Sequence, residues 1–395
     1  MDVIENLSSG EYEPIICIDM HTCGEPTRII VKGHPELTGT LLEQRSEAKA
    51  KFDHIRRRLM LEPRGHFDMY GAILRQETEM TRAGQADIGV LFTTNNGYST
   101  MCGHATIALG RFLVDTHDLA VFSNRTRLRF DPEKKMTYLK LHAPCGLLNV
   151  TVPTTEDGTK SDPTRPVSFV SVDCFATGLD ISIELPESPL WPSGFSIVAD
   201  FSYGGAFFCL VDVRQLPFLK NSGLSNFDMD AAHLFTRALK KTVNADAGNS
   251  YLFRHPKEND LSFLYSVVLV DKSLGQPLPG SLGAEAGLLF FGDQQVDRSP
   301  TGSGVSARLA IAYARNTLKS GDSWTYHSLV SLKTSIQAAF LGTVLEAVAP
   351  EAPVQYPRIR TRVEGHASYT GYHTFIVEKD DLLGNAGFTM QGFAR

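Results

Sequence analysis

Apolar positions along the chain predict a β-rich protein. The segments 86–94, 136–153, 194–213 and 261–270 are rich in β-branched and aromatic residues, which favour strands. Helix-like alternation of polar and apolar residues lies between them. It predicts one helix over 46–60, capped by Ser46, and another over 227–243, capped by Asp228 or Asp230. The pattern as a whole predicts a mixed α/β (α+β) fold.

Two further helices are predicted directly after glycine turns. The turns are MCGH at 101–104 and SPTGSG at 299–304, and the helices cover 104–114 and 305–314. Small residues crowd both helices, so neighbouring elements are able to approach them closely. We therefore predict two central helices, each wrapped by its own sheet.

The two glycine turns also suggest an internal duplication. Laying CGHATIALG over TGSGVSARL aligns Gly103 with Gly302, which agrees with two β-rich halves that each hold one helix. We predict an N-terminal domain over 1–188, joined by the segment 370–395, and a C-terminal domain over 189–369.

Composition narrows the class of protein. The chain has 395 residues, a net charge of −6, 42% hydrophobic residues and 21% charged residues, values typical of a soluble globular protein with a sizeable core. The negative charge gives no sign of a nucleic-acid or membrane partner, and no apolar run approaches the ~20 residues of a membrane span. The acidic N-terminal segment is not a secretory signal. Six cysteines without a CxxC spacing predict reduced thiols in a cytoplasmic protein.

Cys102 is the clearest candidate for a reactive catalytic residue. It stands directly before a predicted helix, where backbone N–H groups and the helix dipole stabilise a thiolate. His104 follows two residues later and is a candidate partner. The alternative is that Cys102 is a small buried residue, as most reduced cysteines are.

Other chemistries fit the sequence less well. His21 and Cys23, together with Cys102 and His104, are zinc-type ligands, but neither H-x-C nor C-x-H is a usual zinc spacing, so we expect no metal. The cysteine signature of papain-like hydrolases is absent from the sequence. The turn at 299–304 is not a nucleotide-binding P-loop, because Lys-Ser/Thr does not follow its last glycine. Its N–H groups still predict anion binding.

Five sequence blocks together resemble the proline racemase family. They follow one another in order over most of the chain, as IDMHTCGEPTRII (18–30), EPRGHFDMYGAI (62–73), NNGYSTMCGHATIALG (95–110), YGGAFF (203–208) and DRSPTGSG (297–304). The resemblance implies a diaminopimelate-epimerase-like fold. In that fold two similar α/β domains each have a sheet or barrel round a central helix, with the active site between them. It also implies a small-molecule amino-acid substrate, no cofactor and a homodimer.

One residue departs from the racemase pattern. Racemases of this family place two cysteines on opposite sides of the substrate α-carbon, one in the MCGH block and one in the DRSPCGTG block. Here Thr301 occupies the second position, and a hydroxyl is a far weaker acid than a thiol, so it supplies no ready base at neutral pH. Family members with threonine at this position dehydrate trans-3-hydroxy-L-proline. The resemblance thus implies a hydro-lyase in which Cys102 is the single base.

The resemblance also implies a set of substrate-binding residues. The groups that hold the carboxylate at the two helix starts are Gly103, His104, Gly302 and Ser303. Asp297 is implied to accept a hydrogen bond from the ring nitrogen, although a capping aspartate before a turn is the alternative. Phe291 is implied to form an apolar wall, and core packing is its alternative.

Some residues of the family blocks receive no role. Arg64, His66, Asp68, Glu25 and Tyr70 lie in the blocks without an assigned chemistry, and Ala206 stands where racemases commonly carry asparagine. Two other functions stay open from sequence. The first is a racemase or epimerase acting on proline or 4-hydroxyproline, and the second is an amino-acid-binding protein without catalysis.

Overall fold

The computed structural model describes residues 2–7, 12–349 and 355–390. Its helices are α1 (Val3–Leu7), α2 (Leu41–Lys51), α3 (Asp53–Met60), α4 (Glu79–Arg82), α5 (Gly103–Asp115), α6 (Met229–Ala245), α7 (Gly302–Ala314), α8 (Leu329–Lys333) and α9 (Leu382–Ala386). Of the described helices, none has the length and apolar character that crossing a membrane requires.

The strands of the described chain include all four segments that the apolar pattern predicts, together with many segments that it does not. They are β1 (Ile15–Thr22), β2 (Glu25–Lys32), β3 (Tyr70–Arg75), β4 (Ile88–Thr94), β5 (Gly97–Ser99), β6 (Arg129–Asp131), β7 (Met136–Ala143), β8 (Gly146–Pro153), β9 (Val167–Val170), β10 (Cys174–Glu184), β11 (Ser196–Tyr203), β12 (Phe207–Asp212), β13 (Leu264–Asp271), β14 (Ala284–Phe291), β15 (Gln295–Val296), β16 (Ser323–His327), β17 (Phe340–Val348), β18 (Arg358–Gly365) and β19 (Ala367–Phe375). The predicted segments 136–153 and 194–213 each form two antiparallel strands.

The chain divides into two compact units. Unit 1 comprises residues 1–168 and 366–395, and unit 2 comprises residues 169–365. The predicted boundary at 188/189 therefore falls inside unit 2. The reason is that β10 pairs with both β11 and β18, so the residues before 188 are built into the sheet of unit 2.

In unit 1 a sheet wraps round α5. Strands pair in the order β19, β1, β2, β3, β4, β7 and β8. Helix α5 contacts β1, β2, β8 and β19, which include both ends of that order. All residues of α5 except Arg111 and Asp115 are buried, and a helix enclosed in this way must be apolar on every side.

In unit 2 the sheet closes into a barrel. Strands β10, β11, β12, β13, β14, β16, β17 and β18 pair in that order, and β18 pairs back with β10. Helix α7 contacts β10, β11, β12, β17 and β18. The prediction of two sheets, each round a small-residue helix, is confirmed.

One predicted helix is wrong in its start and its extent. The segment 46–60 forms two helices, because Phe52 leaves the helical region at φ −122°, ψ 16° and separates α2 from α3. Thr40 caps α2 in a reciprocal capping box with Glu43, whereas Ser46 lies within the helix. The helix predicted over 227–243 is confirmed as α6, and its cap is Asp228.

Candidate active site

Cys102 is the N-cap residue of α5. Its backbone is extended at φ −146°, ψ 112°, and its Sγ accepts a hydrogen bond from Ala105 N at 3.3 Å. Thr106 Oγ1 donates to the Cys102 carbonyl at 2.7 Å. The sulfur therefore faces the first turn of the helix, where an N–H donor and the dipole stabilise negative charge on it.

His104 contacts the Cys102 sulfur but carries no charge. Its Nδ1 and Nε2 lie 3.3 and 3.5 Å from Sγ. Burial lowers the pKa of His104 to about 3, against a smaller opposing effect of a hydrogen bond with the Pro26 backbone. The ring is thus neutral at physiological pH, and it offers no imidazolium to pair with a thiolate. The helix start stabilises a thiolate without an imidazolium.

Tyr70 and Thr22 hold His104 in place. The Tyr70 ring packs edge-on against the imidazole at a centroid distance of 4.7 Å, and Thr22 Oγ1 donates to the His104 carbonyl at 2.8 Å. Sequence reasoning gave Tyr70 no role and did not find Thr22. The contacts connect β1 and β3 to α5, and no local spacing in the sequence indicates them.

The backbone amides of Gly103 and His104 belong to the first turn of α5. A helix leaves its first four N–H groups without an intrahelical acceptor, so this turn suits an incoming carboxylate. Gly302 and Ser303 hold the same position in α7, and both are buried. Each unit therefore has a helix start whose backbone geometry suits an anion.

The start of α7 is strained. Thr301 adopts φ 61°, ψ 95°, a region that β-branched residues rarely occupy and that costs about 1–3 kcal/mol. Its Oγ1 donates to Asp297 Oδ2 at 2.6 Å, and its N–H donates to Ser299 Oγ at 3.1 Å. A Cβ at Gly304 would lie 3.2 Å from Thr301 Cγ2, so the glycine leaves space for the threonine.

Asp297 is the buried carboxylate of this turn. Its Oδ1 accepts from Ser299 N at 2.8 Å, and its Oδ2 accepts from Thr301. Burial raises the pKa of Asp297 to about 6, and the hydrogen bonds from Thr301 and Ser299 and the charge of Arg298 oppose that rise. The carboxylate is therefore mostly ionised at pH 7 and is sensitive to the loss of either hydrogen bond.

Phe291 ends strand β14 and is 2% exposed. It pairs with Gln295 across a hairpin that leads to Asp297. The structure thus places Phe291, Asp297 and Thr301 within one short segment of unit 2, and Cys102, Gly103 and His104 at one helix start of unit 1.

Arg64 has a structural role. Its guanidinium donates to the Gly384 carbonyl and, at 2.7 Å, to the Ile376 carbonyl, which connects the N-terminal and C-terminal parts of unit 1. His66 Nδ1 accepts from the Asp68 amide at 3.2 Å. Glu25 is buried in β2. These contacts account for Arg64 and leave His66, Asp68 and Glu25 without an assigned chemistry.

Three other buried thiols are poor candidates for a catalytic base. Burial raises the pKa of Cys17 to about 12 and that of Cys174 to about 11, and it also raises the pKa of Cys209. In the described parts of the chain, no group of three or more His, Cys, Asp or Glu residues is placed to hold a metal ion. His21 Nδ1 accepts a hydrogen bond from the Gly24 amide, and Cys23 Sγ donates to the His366 carbonyl.

The protein has two α/β units, each with a sheet round a central helix, and comparison with known proteins gives the family. The proline racemase family model matches residues 17–389. The chain belongs to the proline racemase family.

Its similarity to relatives extends over nearly the whole chain. It is 37% identical to the trans-L-3-hydroxyproline dehydratase of Pongo abelii and 37% identical to the trans-3-hydroxy-L-proline dehydratase of Homo sapiens. Each comparison covers 93% of this chain and 92% of the relative. A crystal structure of a hydroxyproline epimerase from Agrobacterium vitis, with bound trans-4-OH-L-proline, matches at a TM-score of 0.75 and 22% identity, over 96% of this chain and 95% of that one. That structure confirms the fold.

The start of α7 gives a stability prediction. A Cβ on Gly204 would lie 2.2 Å from Ser303 O and 2.6 Å from Ala307 N, and these backbone atoms cannot move without shifting the helix. We expect Gly204→Ala to lower the free energy of unfolding by about 3 kcal/mol or more. Gly194→Ala is the control, because Gly194 has φ +72° and open space around it, and we expect a cost of about 1–2 kcal/mol. Equal losses in urea denaturation would contradict the close approach.

Proposed function

We propose that this chain is a trans-3-hydroxy-L-proline dehydratase that uses one base. The observation that carries the proposal is the difference between its two helix starts. A thiol caps α5, whereas α7 begins with a threonine whose hydroxyl already donates its proton to Asp297 at 2.6 Å. A hydroxyl held in this way accepts hydrogen bonds, but its proton is already engaged with Asp297. Because a hydroxyl is a very weak acid, its alkoxide form, which would be the base, is not populated at neutral pH.

In the first step the Cys102 thiolate removes the α-proton of the substrate. The carbon–hydrogen electron pair is left at Cα, next to the carboxylate, so negative charge grows on that group. The backbone N–H groups of Gly103 and His104, with those of Gly302 and Ser303, are the groups that stabilise it in this proposal. Fixed donors directed at developing charge lower the barrier because they need no reorganisation during the reaction.

In the second step the Cα electron pair forms the Cα–C3 double bond, and the C3–oxygen bond breaks. In the trans isomer the hydroxyl lies opposite the carboxylate, so the α-proton and the hydroxyl share one ring face. The protonated Cys102 is then placed to return the same proton to the departing oxygen, which leaves as water. The thiolate is regenerated. The enamine product, Δ2-pyrroline-2-carboxylate, tautomerises to the Δ1 imine.

Asp297 and Phe291 set the environment of the ring. We propose that Asp297 accepts a hydrogen bond from the ring nitrogen and keeps it protonated, which makes the α-proton more acidic. Phe291 supplies an apolar surface that keeps water from the thiolate. The identity of 37% to dehydratases over most of the chain supports this assignment.

The experiment that tests the function is an incubation of the purified protein with trans-3-hydroxy-L-proline, without added metal or cofactor. We expect a pyrroline that forms a coloured adduct with o-aminobenzaldehyde. L-Proline and trans-4-hydroxy-L-proline serve as parallel substrates. A lack of adduct together with epimerisation of either parallel substrate would overturn the proposal in favour of an epimerase.

A pH profile tests the contact between Thr301 and Asp297. The threonine O–H stabilises the ionised carboxylate and so lowers the pKa of Asp297, which is about 6 with that bond in place. Thr301→Val keeps the branched shape and removes the donor. A hydrogen bond to a charged group contributes about 1.5–3 kcal/mol, or at least about one pKa unit. The acid limb of kcat/KM should therefore move to higher pH by about one unit.

Thr301→Ser is the matched control, because it retains the hydroxyl. We expect its acid limb to stay where it is in the parent. An unmoved limb in Thr301→Val would show that the hydroxyl does not set the ionisation of Asp297.

We also propose that the protein is a cytoplasmic homodimer. Six cysteines without a CxxC spacing support the compartment, and the family resemblance supports the dimer. Light scattering coupled to size-exclusion chromatography should give about twice the chain mass of 43.4 kDa. A single-chain mass would contradict the dimer.

A further inference from the structure

Unit 2 contains a cavity that the proposed active site does not use. It has a volume of about 630 Å³ and is lined by residues of α7, from Arg308 onward, and by strands of the barrel that include β13, β14 and β16. Helix α7 contacts β10, β11, β12, β17 and β18, and the first three of these strands also supply lining residues. Of the described residues that line the cavity, none belongs to the proposed active site.

A buried arginine lies in the wall of this cavity. Arg308 is 5% exposed, and its guanidinium carbon lies 4.7 Å from the centre of the Tyr326 ring. A Cβ on Gly287 would lie 2.2 Å from Arg308 Nη2, so the glycine in β14 leaves the space that the guanidinium occupies. In the alignment of the two helix starts, the counterpart of Arg308 is Leu109, which is completely buried in α5. The architecture therefore accepts leucine at this position.

The guanidinium of Arg308 has incomplete hydrogen bonding. Its ion pair with Glu285 joins Nη1 to Oε1 at 3.3 Å, and among the described residues Nε has no acceptor. Arg28 gives the contrast, since Nε and Nη2 bond Asp19 and Nη1 bonds two carbonyl oxygens at 2.7 Å each. A buried charge is tolerated when its hydrogen bonds are satisfied. The guanidinium of Arg308 does not have all of its hydrogen bonds satisfied.

A second donor lies in the same wall. Trp324 Nε1 is buried, and it too has no acceptor among the described residues. Burial raises the pKa of Glu285, and the charges of Arg308 and Lys272 oppose this rise. Glu285 meets the arginine through a single contact of 3.3 Å. Arg308 Nε and Trp324 Nε1 are therefore able to donate hydrogen bonds to a ligand oxygen, because no acceptor for them lies among the described residues.

A lysine also lines the cavity: Lys272 is exposed and has no ion pair within the described chain. The other arginines nearby are paired. Arg315 binds Asp180 and Asp200 at 2.7 Å each, and Arg214 binds Asp212 at 2.7 Å. Apolar side chains form the rest of the lining: Val198, Leu210, Val211, Val270, Ile311 and Leu318. The cavity thus combines a buried and poorly paired arginine, an exposed lysine and an indole donor with an apolar wall.

We propose that this cavity binds a small organic monocarboxylate, whose carboxylate pairs with Arg308 and Trp324 and whose apolar body lies on the aliphatic wall. A planar carboxylate matches the guanidinium in a bidentate manner, which the single 3.3 Å contact to Glu285 does not provide. The volume exceeds that of one water molecule many times over, so a ligand of several carbon atoms fits.

The test uses three probes that differ in charge: 3-phenylpropanoate, its neutral amide, and 3-phenylpropylamine. Trp324 is one of two tryptophans in the chain, so tryptophan fluorescence reports on the cavity. We expect a saturable change with the carboxylate below about 10 mM and affinity for the amide and amine at least about tenfold weaker. The signal should be lost in Trp324→Phe, in which calorimetry should still detect weakened binding.

Arg308→Leu copies the residue of α5 and should weaken the carboxylate about tenfold or more, while Arg237→Leu on the exposed face of α6 should leave binding unchanged. Equal binding of all three probes, no saturable signal, or undiminished affinity in Arg308→Leu would each overturn the proposal. If Arg308→Leu fails to fold, the affinity of Trp324→Phe for 3-phenylpropanoate, measured by calorimetry, is the deciding result. An affinity equal to that of the parent would overturn the proposal. The assay uses no turnover, so its outcome is independent of the dehydratase activity.

Discussion

Replacing Cys102 by serine is expected to reduce kcat for dehydration of trans-3-hydroxy-L-proline by a factor of about 10³ or more. The sulfur caps α5 and accepts from Ala105 N at 3.3 Å, and a serine oxygen keeps that geometry. An alcohol, however, is far too weakly acidic to provide a populated base. The loss should therefore fall on kcat, with binding of the planar analogue pyrrole-2-carboxylate retained.

Cys174→Ser is the control for this substitution. Cys174 is a buried thiol in β10 that bonds the Val172 carbonyl at 3.0 Å, and a hydroxyl is able to take over that bond. We expect its turnover to match that of the parent. Retained dehydration in Cys102→Ser would remove the thiol from the mechanism.

Replacing Asp297 by asparagine is expected to lower kcat/KM by a factor of about 10² or more. The substitution keeps the shape of the side chain but removes its negative charge, so a protonated ring nitrogen loses its counter-ion. The acid limb that reflects the pKa of about 6 should also disappear. Steady-state kinetics between about pH 5 and 8 measures both effects.

Asp293→Asn is the matched control, because Asp293 is exposed in the same hairpin, four residues before Asp297. We expect it to retain activity and the acid limb. An Asp297→Asn variant with parental kcat/KM would mean that this carboxylate only caps the turn, which is the alternative that the sequence left open.

The central helices were predictable because their signal is local. Glycine turns followed by small residues at helical spacing indicate a helix that strands approach closely, and α5 and α7 are such helices. The strands within the four predicted segments followed from their β-branched and aromatic content. The division of 46–60 into two helices was not predictable, because it depends on the conformation of the single residue Phe52.

The site was predictable in its residue types and less so in its interactions. The motif identifies Cys102, Asp297 and Thr301, but the left-handed conformation of Thr301 and its bond to Asp297 depend on how the turn closes. The neutral state of His104 depends on burial, a property of the folded unit. Long-range packing brings Tyr70 against that ring.

The central claim is that a single sulfur moves the proton and that the threonine takes no part as a base. Proton NMR in D₂O, with trans-3-hydroxy-L-proline and L-proline in parallel tubes, tests it most directly. The account predicts that pyrroline signals grow as the hydroxylated substrate disappears and that proline stays in the L form. Accumulation of D-proline, or a hydroxylated substrate that persists unchanged, would contradict it.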